Sequence, residues 1–317
     1  MTKITEGFIP VTGGNVWYRK TGDGNKIPLL VMHGGPGSST MESDIIQTLG
    51  DSRAVIHYDQ LGSGKSDRPT DPSLWKVERF VEELGQVRSA LGLDEVHLLG
   101  HSWGTMLAAA YLLGFASGSL VDGKADREHS ESTLAMPTKP VGVHSVTFSS
   151  PALSAPMWER DQRAYLKAFP QRVQDVIERC ERDGSTDTEA YQEAMMLFYR
   201  RHVCRLDPWP QKILDAFAVT NHQVYETMWG ASEFTVTGTL KTFDVTGRMG
   251  ELTLPSLFTC GRYDEATPET TAYYASLVAG ARFHVFEHSA HMTIQEEPEE
   301  FARVLREFLA DVEATNA

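Results

Sequence analysis

The sequence predicts an α/β protein with a mostly parallel, doubly wound sheet and a helical cap inserted into it. Short apolar runs alternate with helix-length segments over the first 150 residues, the alternation stops in the middle of the chain, and strand-like runs resume towards its end. The chain has 317 residues, of which 41% are apolar and 23% charged, so it is long enough for a large domain with an insertion.

The predicted strands are short runs rich in valine, isoleucine and leucine, as in the buried strands of a parallel sheet. They are Ile27–Met32, Arg53–Tyr58, Val96–Leu99, Ser145–Phe148, Ser256–Thr259 and Phe283–Phe286. The helices predicted around them are Val77–Leu91, Thr105–Leu113 and Glu299–Leu309. An N-terminal hairpin is predicted from Phe8–Val11 and Asn15–Lys20, which flank Gly13 and Gly14.

Residues 151–246 are predicted to form the helical cap, and residues 1–150 and 247–317 the discontinuous core. The predicted cap helices are Trp158–Phe169, Arg172–Arg182 and Asp187–Val203, with a capping box of Thr186 and Glu189 at the start of the third. Six large apolar side chains are expected to build the core of the cap or to line an apolar pocket: Trp158, Trp209, Trp229, Met195, Met196 and Phe198. A polar stretch without periodicity, Ser117–Pro140, is predicted to be a mobile surface loop.

The composition excludes several classes of function. There are 29 lysines and arginines against 43 aspartates and glutamates, a net charge of −14, which has the wrong sign for binding nucleic acid or an anionic membrane. Three scattered cysteines are too few for a disulfide framework or a zinc site, so we expect free thiols and no metal. The first 24 residues have no apolar stretch of signal-peptide length, and Met106–Ala116 is too short to cross a bilayer. We therefore expect a cytoplasmic protein.

The most informative segment is Val96–Thr105, where an apolar strand leads into the pattern G-x-S-x-G and then into a helix of small residues. This is the pattern of a nucleophile elbow, in which a sharp strand-to-helix turn exposes the serine hydroxyl at the start of the helix. Gly100 and Gly104 would be needed because larger residues would crowd the turn. Ser102 is therefore predicted to be a catalytic nucleophile.

A serine hydroxyl needs a base, and the base needs a carboxylate to orient it. Asp264 follows the predicted strand Ser256–Thr259, and His291 follows the predicted strand Phe283–Phe286, which gives the chain order Ser, Asp, His. His288 is the competing base. We favour His291 because it lies farther beyond its strand, next to small residues that allow the loop to turn inwards.

The oxyanion of a tetrahedral intermediate needs pre-positioned backbone donors. The sequence HGGPG at residues 33–37 follows the first long strand, and its glycines allow close approach of the backbone to a substrate. We predict that one N–H comes from Gly35, with Gly34 as the alternative, and the other from Trp103. The glycine-rich run at 62–66 lacks the first glycine of a phosphate-binding loop, since position 59 is aspartate, and is predicted to be a turn beside the site.

These motifs together resemble the proline iminopeptidase family of the α/β-hydrolase fold and related amino-acid amide hydrolases. The resemblance rests on HGGPG at 33–37, DQLGSGKS at 59–66, GHSWGT at 100–105, WGASEF at 229–234, GRYDE at 261–265 and the HSAH segment at 288–291. It covers most of the chain, and it departs from the family at Ser117–Pro140, which is longer than expected.

The resemblance implies that two carboxylates bind the free α-ammonium group of the substrate. The matching positions are Glu233, in the cap, and Glu265, next to Asp264 in the core, so the site would form between cap and core. A buried ammonium needs opposite charge to offset its desolvation. The alternative is that both are ordinary surface glutamates.

We therefore expect a serine hydrolase without a cofactor that releases an N-terminal amino acid, proline or a small apolar residue, from short peptides or amino-acid amides. The close alternative is an amidase or carboxylesterase acting on non-peptide small molecules at the same site. An alternative of another class is a binding module of the same fold with negligible turnover. The sequence does not indicate an oligomeric state.

Overall fold

Seven strands of the described residues form one sheet, and the predicted α/β class of the fold is confirmed. The computed structural model describes residues 2–40, 44–115 and 140–316, so the predicted mobile loop lies outside the described residues apart from Pro140. The strands are β1 (Ile4–Val11), β2 (Gly14–Met32), β3 (Arg53–Tyr58), β4 (Val96–His101), β5 (Val143–Ser149), β6 (Ser256–Gly261) and β7 (Arg282–Phe286). They include all six predicted runs and the predicted hairpin.

The sheet is parallel except at its N-terminal hairpin. Its order is β1-β2-β4-β5-β6-β7, with β3 paired to β2. β1 is antiparallel to β2, and the pairs β2–β4, β4–β5, β5–β6 and β6–β7 are all parallel. The carboxyl ends of the central strands therefore meet at one edge, where ligands of open α/β sheets bind.

β2 is longer than predicted because it pairs with β3 twice. Residues 18–21 pair with residues 58–55 in reverse order, whereas residues 29–32 pair with residues 55–58 in the same order. The chain bends back between these two arms at Gly22, which has φ +81°. A Cβ atom at Gly22 would lie 2.2 Å from the carbonyl oxygen of Gly50, so a residue without a side chain is required there.

Eleven α-helices occur in the described residues. They are α1 (Asp44–Gln47), α2 (Val77–Ala90), α3 (Trp103–Leu112), α4 (Ala155–Leu166), α5 (Gln171–Asp183), α6 (Glu189–His202), α7 (Gln211–Ala218), α8 (His222–Met228), α9 (Pro268–Ser276), α10 (Thr293–Glu296) and α11 (Pro298–Asn316). Five of them, α4 to α8, follow one another between β5 and β6. This agrees with a helical insertion, and the boundaries of the cap at 151 and 246 stay a prediction.

The cap helices follow from local sequence. In α5, Val173, Ile177 and Cys180 are buried at spacings of four and three residues, and the helix ends at Gly184 in the left-handed conformation. The predicted capping box of α6 is wrong, because the helix begins at Glu189 after Thr188. The hydroxyl of Thr188 donates instead to the carbonyl oxygen of Ser185, in a turn that precedes the helix.

Two apolar clusters cover the two faces of the sheet. Neighbouring strand residues belong to opposite clusters, as Leu98 and Leu99 of β4 do, because successive side chains in a strand point to opposite faces. One cluster packs against α2 and α3, and the other against α11. Helices on both faces make the sheet doubly wound, as predicted.

A third apolar cluster lies within the cap and contains Phe198, with Met195, Met196 and Trp209 packed against it. These four residues therefore build the cap's own core, as predicted. The prediction is wrong for Trp158 and Trp229, which belong to the cluster on the α2 and α3 face of the sheet. All three cysteines, Cys180, Cys204 and Cys260, are free and buried.

We expect Leu98→Ala to lower the free energy of unfolding by about 2–5 kcal/mol, because it removes a fully buried side chain from the centre of the sheet. The matched control is Leu197→Ala in α6, where the leucine is 48% exposed. This substitution should change the free energy of unfolding by no more than about 0.5 kcal/mol. Urea unfolding followed by tryptophan fluorescence measures both, and equal losses would contradict the prediction.

Candidate active site

Ser102 lies in the sharp turn between β4 and α3, as the sequence predicts for a nucleophile elbow. Its backbone has φ +53° and ψ −122°, a strained conformation for a residue with a side chain. A Cβ atom at Gly100 would lie 2.3 Å from the carbonyl oxygen of Gly104, and one at Gly104 would lie 2.4 Å from that of Met32. Glycine is therefore required on both sides of the serine, and the N–H of Ser102 donates to Ser149 at 3.0 Å.

Asp264 and His291 are hydrogen-bonded to each other in the buried interior of the site. The Nδ1 atom of His291 is 2.8 Å from Oδ1 of Asp264. The same carboxylate accepts the N–H groups of Gly261 and Ala266 and the hydroxyl of Ser150, so it has four partners. These four donors replace the water that this fully buried carboxylate lacks.

The hydroxyl of Ser102 and the imidazole of His291 line the same cavity. Among the described residues, no hydrogen bond joins these two side chains. Hydrogen bonds between catalytic groups are often long before the substrate binds and shorten in the complex. The lack of this hydrogen bond is therefore compatible with a proton relay. The competing base, His288, is exposed, does not line the cavity and donates its backbone N–H to Glu297 at 2.9 Å.

A second imidazole, that of His101, packs against the ring of His291 with 4.8 Å between the ring centroids. Burial, followed by the charges of His291 and His33, lowers the pKa of His101 well below its usual value. His101 is therefore neutral and holds the His291 ring in place by contact.

The predicted oxyanion segment lies directly beside Ser102. A Cβ atom at Gly34 would be 3.1 Å from that of Ser102, and Gly34 and Gly35 both line the cavity. Fully buried Gln60 connects this segment to α3, because its side chain accepts the indole N–H of Trp103 at 2.8 Å and donates to the carbonyl oxygen of His33 at 3.1 Å. Gln60 thus links the backbone at the start of the HGGPG segment to the side chain of Trp103.

The glycine-rich run at 62–66 is a turn beside this segment, as predicted. The buried carboxylate of Asp59 accepts the N–H groups of Thr40 at 2.7 Å and Lys65 at 2.8 Å. A Cβ atom at Gly64 would lie 2.1 Å from that carboxylate. Asp59 therefore occupies the space inside the turn, and the turn supports the HGGPG segment.

Glu265 is 1% exposed, and neither of its carboxylate oxygens has a hydrogen-bond partner among the described residues. Its Oε1 atom is 3.7 Å from Nε2 of His291. Burial raises the pKa of Glu265 well above its usual value, and the negative charges of Glu233 and Asp264 raise it further. A buried carboxyl group with a raised pKa and no hydrogen-bond partner is suited to binding a cationic ligand.

Glu233 lines the same cavity as Glu265, so the structure brings the two predicted carboxylates together. The hydroxyl of Tyr225 donates to Oε1 of Glu233 at 2.7 Å. Burial raises the pKa of Glu233, and the Tyr225 hydrogen bond and the charge of His291 offset part of this rise. Burial also raises the pKa of Tyr225 well above its usual value, so its hydroxyl keeps the proton that it donates.

Sequence reasoning missed several residues that hold the site together. Tyr225 and Tyr199 belong to no recognised sequence motif. The hydroxyl of Tyr199 accepts the N–H of Glu233 at 3.2 Å. The carbonyl oxygen of His202, at the end of α6, accepts the N–H groups of Glu265 and His291. Ser150 could have been found, since it directly follows β5 at the edge of the sheet where Ser102 and Asp264 also lie.

The cavity has a volume of about 450 Å³ and extends from the carboxyl edge of the sheet into the cap. The described residues contain no group of three histidine, cysteine, aspartate or glutamate side chains that could hold a metal ion. Within the same residues, none of the helices is long and apolar enough to span a bilayer.

Comparison with known proteins agrees with this geometry. The family model of the α/β-hydrolase fold matches residues 27–298. A proline iminopeptidase of Heyndrickxia coagulans is 51% identical over 310 residues, which cover 97% of this chain and 99% of that protein. The chain belongs to the proline iminopeptidase family.

Two solved structures are similar to this chain over nearly its whole length. The crystal structure of a proline iminopeptidase from Mycobacterium smegmatis has 32% identity and a TM-score of 0.84, covering 99% of this chain and 100% of that one. The crystal structure of VinJ has 32% identity and a TM-score of 0.86, covering 97% and 99%. The family assignment therefore applies to core and cap alike.

We expect hydrolytic activity to fall as the pH is lowered, with the midpoint of this loss at a pH above 6.5, which is the usual pKa of an imidazole. Burial lowers the pKa of His291, but the adjacent carboxylate of Asp264, with Glu233 and Glu296, outweighs this and raises it overall. A raised pKa means that the base is already protonated at a pH where a free imidazole is not. The dependence of kcat/KM on pH measures this, and an acid limb centred below 6.5 would contradict it.

Proposed function

We propose that this protein is a serine aminopeptidase that releases an N-terminal proline from short peptides or amino-acid amides through an acyl-enzyme. The observation that carries the proposal is the buried carboxylate of Glu265, which has no hydrogen-bond partner among the described residues and lies in the cavity that Ser102 and His291 also line. The similarity to several proline iminopeptidases supports proline as the residue released. Nucleic acid and membranes are not expected as partners, and a cytoplasmic location stays a prediction from the sequence.

In the proposed mechanism, Oγ of Ser102 attacks the carbonyl carbon of the first peptide bond while Nε2 of His291 takes its proton. Asp264, bonded to Nδ1, keeps the ring oriented and stabilises the imidazolium. The N–H groups of Gly35 and Trp103 would bind the oxyanion. His291 then protonates the departing nitrogen as the C–N bond breaks, and a water molecule, deprotonated by the same imidazole, releases the amino acid from Ser102.

Recognition of the free amine explains why an enzyme of this type would cut after one residue. The ammonium group of the substrate would pair with Glu265 and Glu233 in a largely dry site, where an uncompensated charge is costly. Because both carboxylates line the same cavity as Ser102, a residue bound there by its amine would present its own carbonyl to the nucleophile. An internal peptide segment has no ammonium and would leave Glu265 unpaired.

The close alternative is an amidase or carboxylesterase with the same reacting groups. An amino-acid amide satisfies the same carboxylates, so the amidase activity differs only in the leaving group. An esterase acting on molecules without an amine would make no use of Glu265, and no feature of the described site favours it.

We expect Ser102→Ala to lower kcat by a factor on the order of 10⁵ or more without unfolding the protein, because the members of such a relay act as a unit. Turnover of proline 4-nitroanilide measures the loss, and circular dichroism checks the fold. A folded variant with near-native turnover would remove Ser102 from the mechanism.

We expect N-acetylation of a prolyl arylamide to abolish its turnover. We also expect Glu265→Gln to reduce kcat/KM for the prolyl arylamide with a free amine by about 100-fold, because the ammonium group loses one buried charge partner. The matched control is Glu193→Gln, an exposed glutamate of α6 that does not line the cavity. Equal rates for the free and acetylated substrates would contradict amine recognition.

A further inference from the structure

The cavity continues beyond the reacting groups along one face of α6. Tyr199, Met195 and Gln192 line it at spacings of four and three residues, and Asp187 lies just before the helix. At 1.5 Å per residue, Gln192 is about 10 Å farther along the helix axis than Tyr199, which contacts Glu233. An extended peptide advances about 3.3–3.6 Å per residue, so this outer part has the length for two or three residues.

The outer part is closed on another side by α8. His222, Tyr225 and Glu226 of this helix line the cavity, and α8 is fixed over the HGGPG segment by the N–H of Asn221, which donates to Gly37 at 2.8 Å. The space of the cavity beyond Ser102 therefore lies between α6 and α8.

The path is lined by acidic side chains. Four carboxylate residues line the cavity: Asp187, Glu226, Glu233 and Glu265. No lysine or arginine is among the described residues that line it. The carboxyl group of Glu265 is also buried without hydrogen-bond partners among the described residues, so an anion placed beside it would gain no cationic partner there.

We propose that the outer part of the cavity is the subsite for the departing segment, and that it discriminates against a free carboxylate on the residue next to the scissile bond. The inference rests on the proposed aminopeptidase function. The favoured substrates are amides and peptides whose departing segment is neutral or cationic inside the cavity, and free dipeptides are disfavoured.

The reason is the position of the C-terminal carboxylate. In a dipeptide it is attached two bonds from the scissile nitrogen, so it lies inside the cavity during attack. There it loses water without gaining a cationic partner, and it faces carboxylates. Each further residue moves it outward by about 3.3–3.6 Å, and at 0.15 M salt charges are screened over about 8 Å. The penalty therefore fades within two or three residues.

The test compares kcat/KM for Pro-Gly, Pro-Gly-Gly and Pro-Gly-Gly-Gly-Gly, each as the free acid and as the C-terminal amide. We expect the amide of the dipeptide to be favoured about 3- to 10-fold, the effect of one carboxylate at ~6 Å with a dielectric constant between those of bulk water and a protein surface. The preference should fall to about 1 in the pentapeptide. Proline 4-nitroanilide, whose leaving group is uncharged, reports the underlying activity.

A matched pair of charge reversals tests the location of the effect. Glu226→Lys introduces a cation into the outer part, and we expect it to abolish or invert the preference for the dipeptide amide. Glu193→Lys makes the same change on the exposed side of α6, outside the cavity, and should leave the preference unchanged. Both glutamates are exposed, so neither change is expected to disturb the fold.

The outcomes separate the two proposals. Failure to hydrolyse proline 4-nitroanilide would overturn the proposed function itself. Hydrolysis of that substrate with equal rates for Pro-Gly and its amide would overturn the subsite alone. The subsite would also be overturned by a preference that persists unchanged in the pentapeptide, or by equal effects of Glu226→Lys and Glu193→Lys.

Discussion

The buried carboxylate of Asp264 determines the arrangement of the whole site. It has no contact with water, so it must be satisfied by protein groups, and its four partners come from segments that follow three different strands. Ser150 follows β5, Gly261 and Ala266 belong to the end of β6 and its loop, and His291 follows β7. Removing the charge would leave the hydroxyl of Ser150, two N–H groups and an imidazole without their common acceptor.

The cap is attached to this arrangement through backbone atoms. The last residue of α6, His202, accepts the N–H groups of Glu265 and His291 through its carbonyl oxygen. The ring of Trp158 packs edge-on against His291, and its indole N–H donates to the carbonyl oxygen of Glu233 at 2.8 Å. Core and cap therefore cannot be displaced from each other without disturbing the proposed base and both carboxylates.

The site also concentrates features that oppose stability. Ser102 has a strained backbone, and Glu265 is buried without a hydrogen-bond partner among the described residues, although most buried polar groups in proteins are satisfied. Glycines at positions 34, 100 and 104 remove the side chains that would crowd the serine. Such departures from the rules of a stable interior are expected where a ligand or a transition state supplies the missing interaction.

Local signals in the sequence, namely apolar runs, glycine spacing and the positions after strands, predicted the sheet, the elbow and the order of Ser102, Asp264 and His291. The sequence did not determine that β2 pairs with β3 twice, that α6 starts at Glu189, or that Trp158 packs towards the sheet. It singled out Glu233 and Glu265 through resemblance alone. The fold places them in one cavity with Tyr225, and no lysine or arginine is among the described residues that line it. The sequence could not show this, because burial and charge pairing depend on residues far apart in the chain.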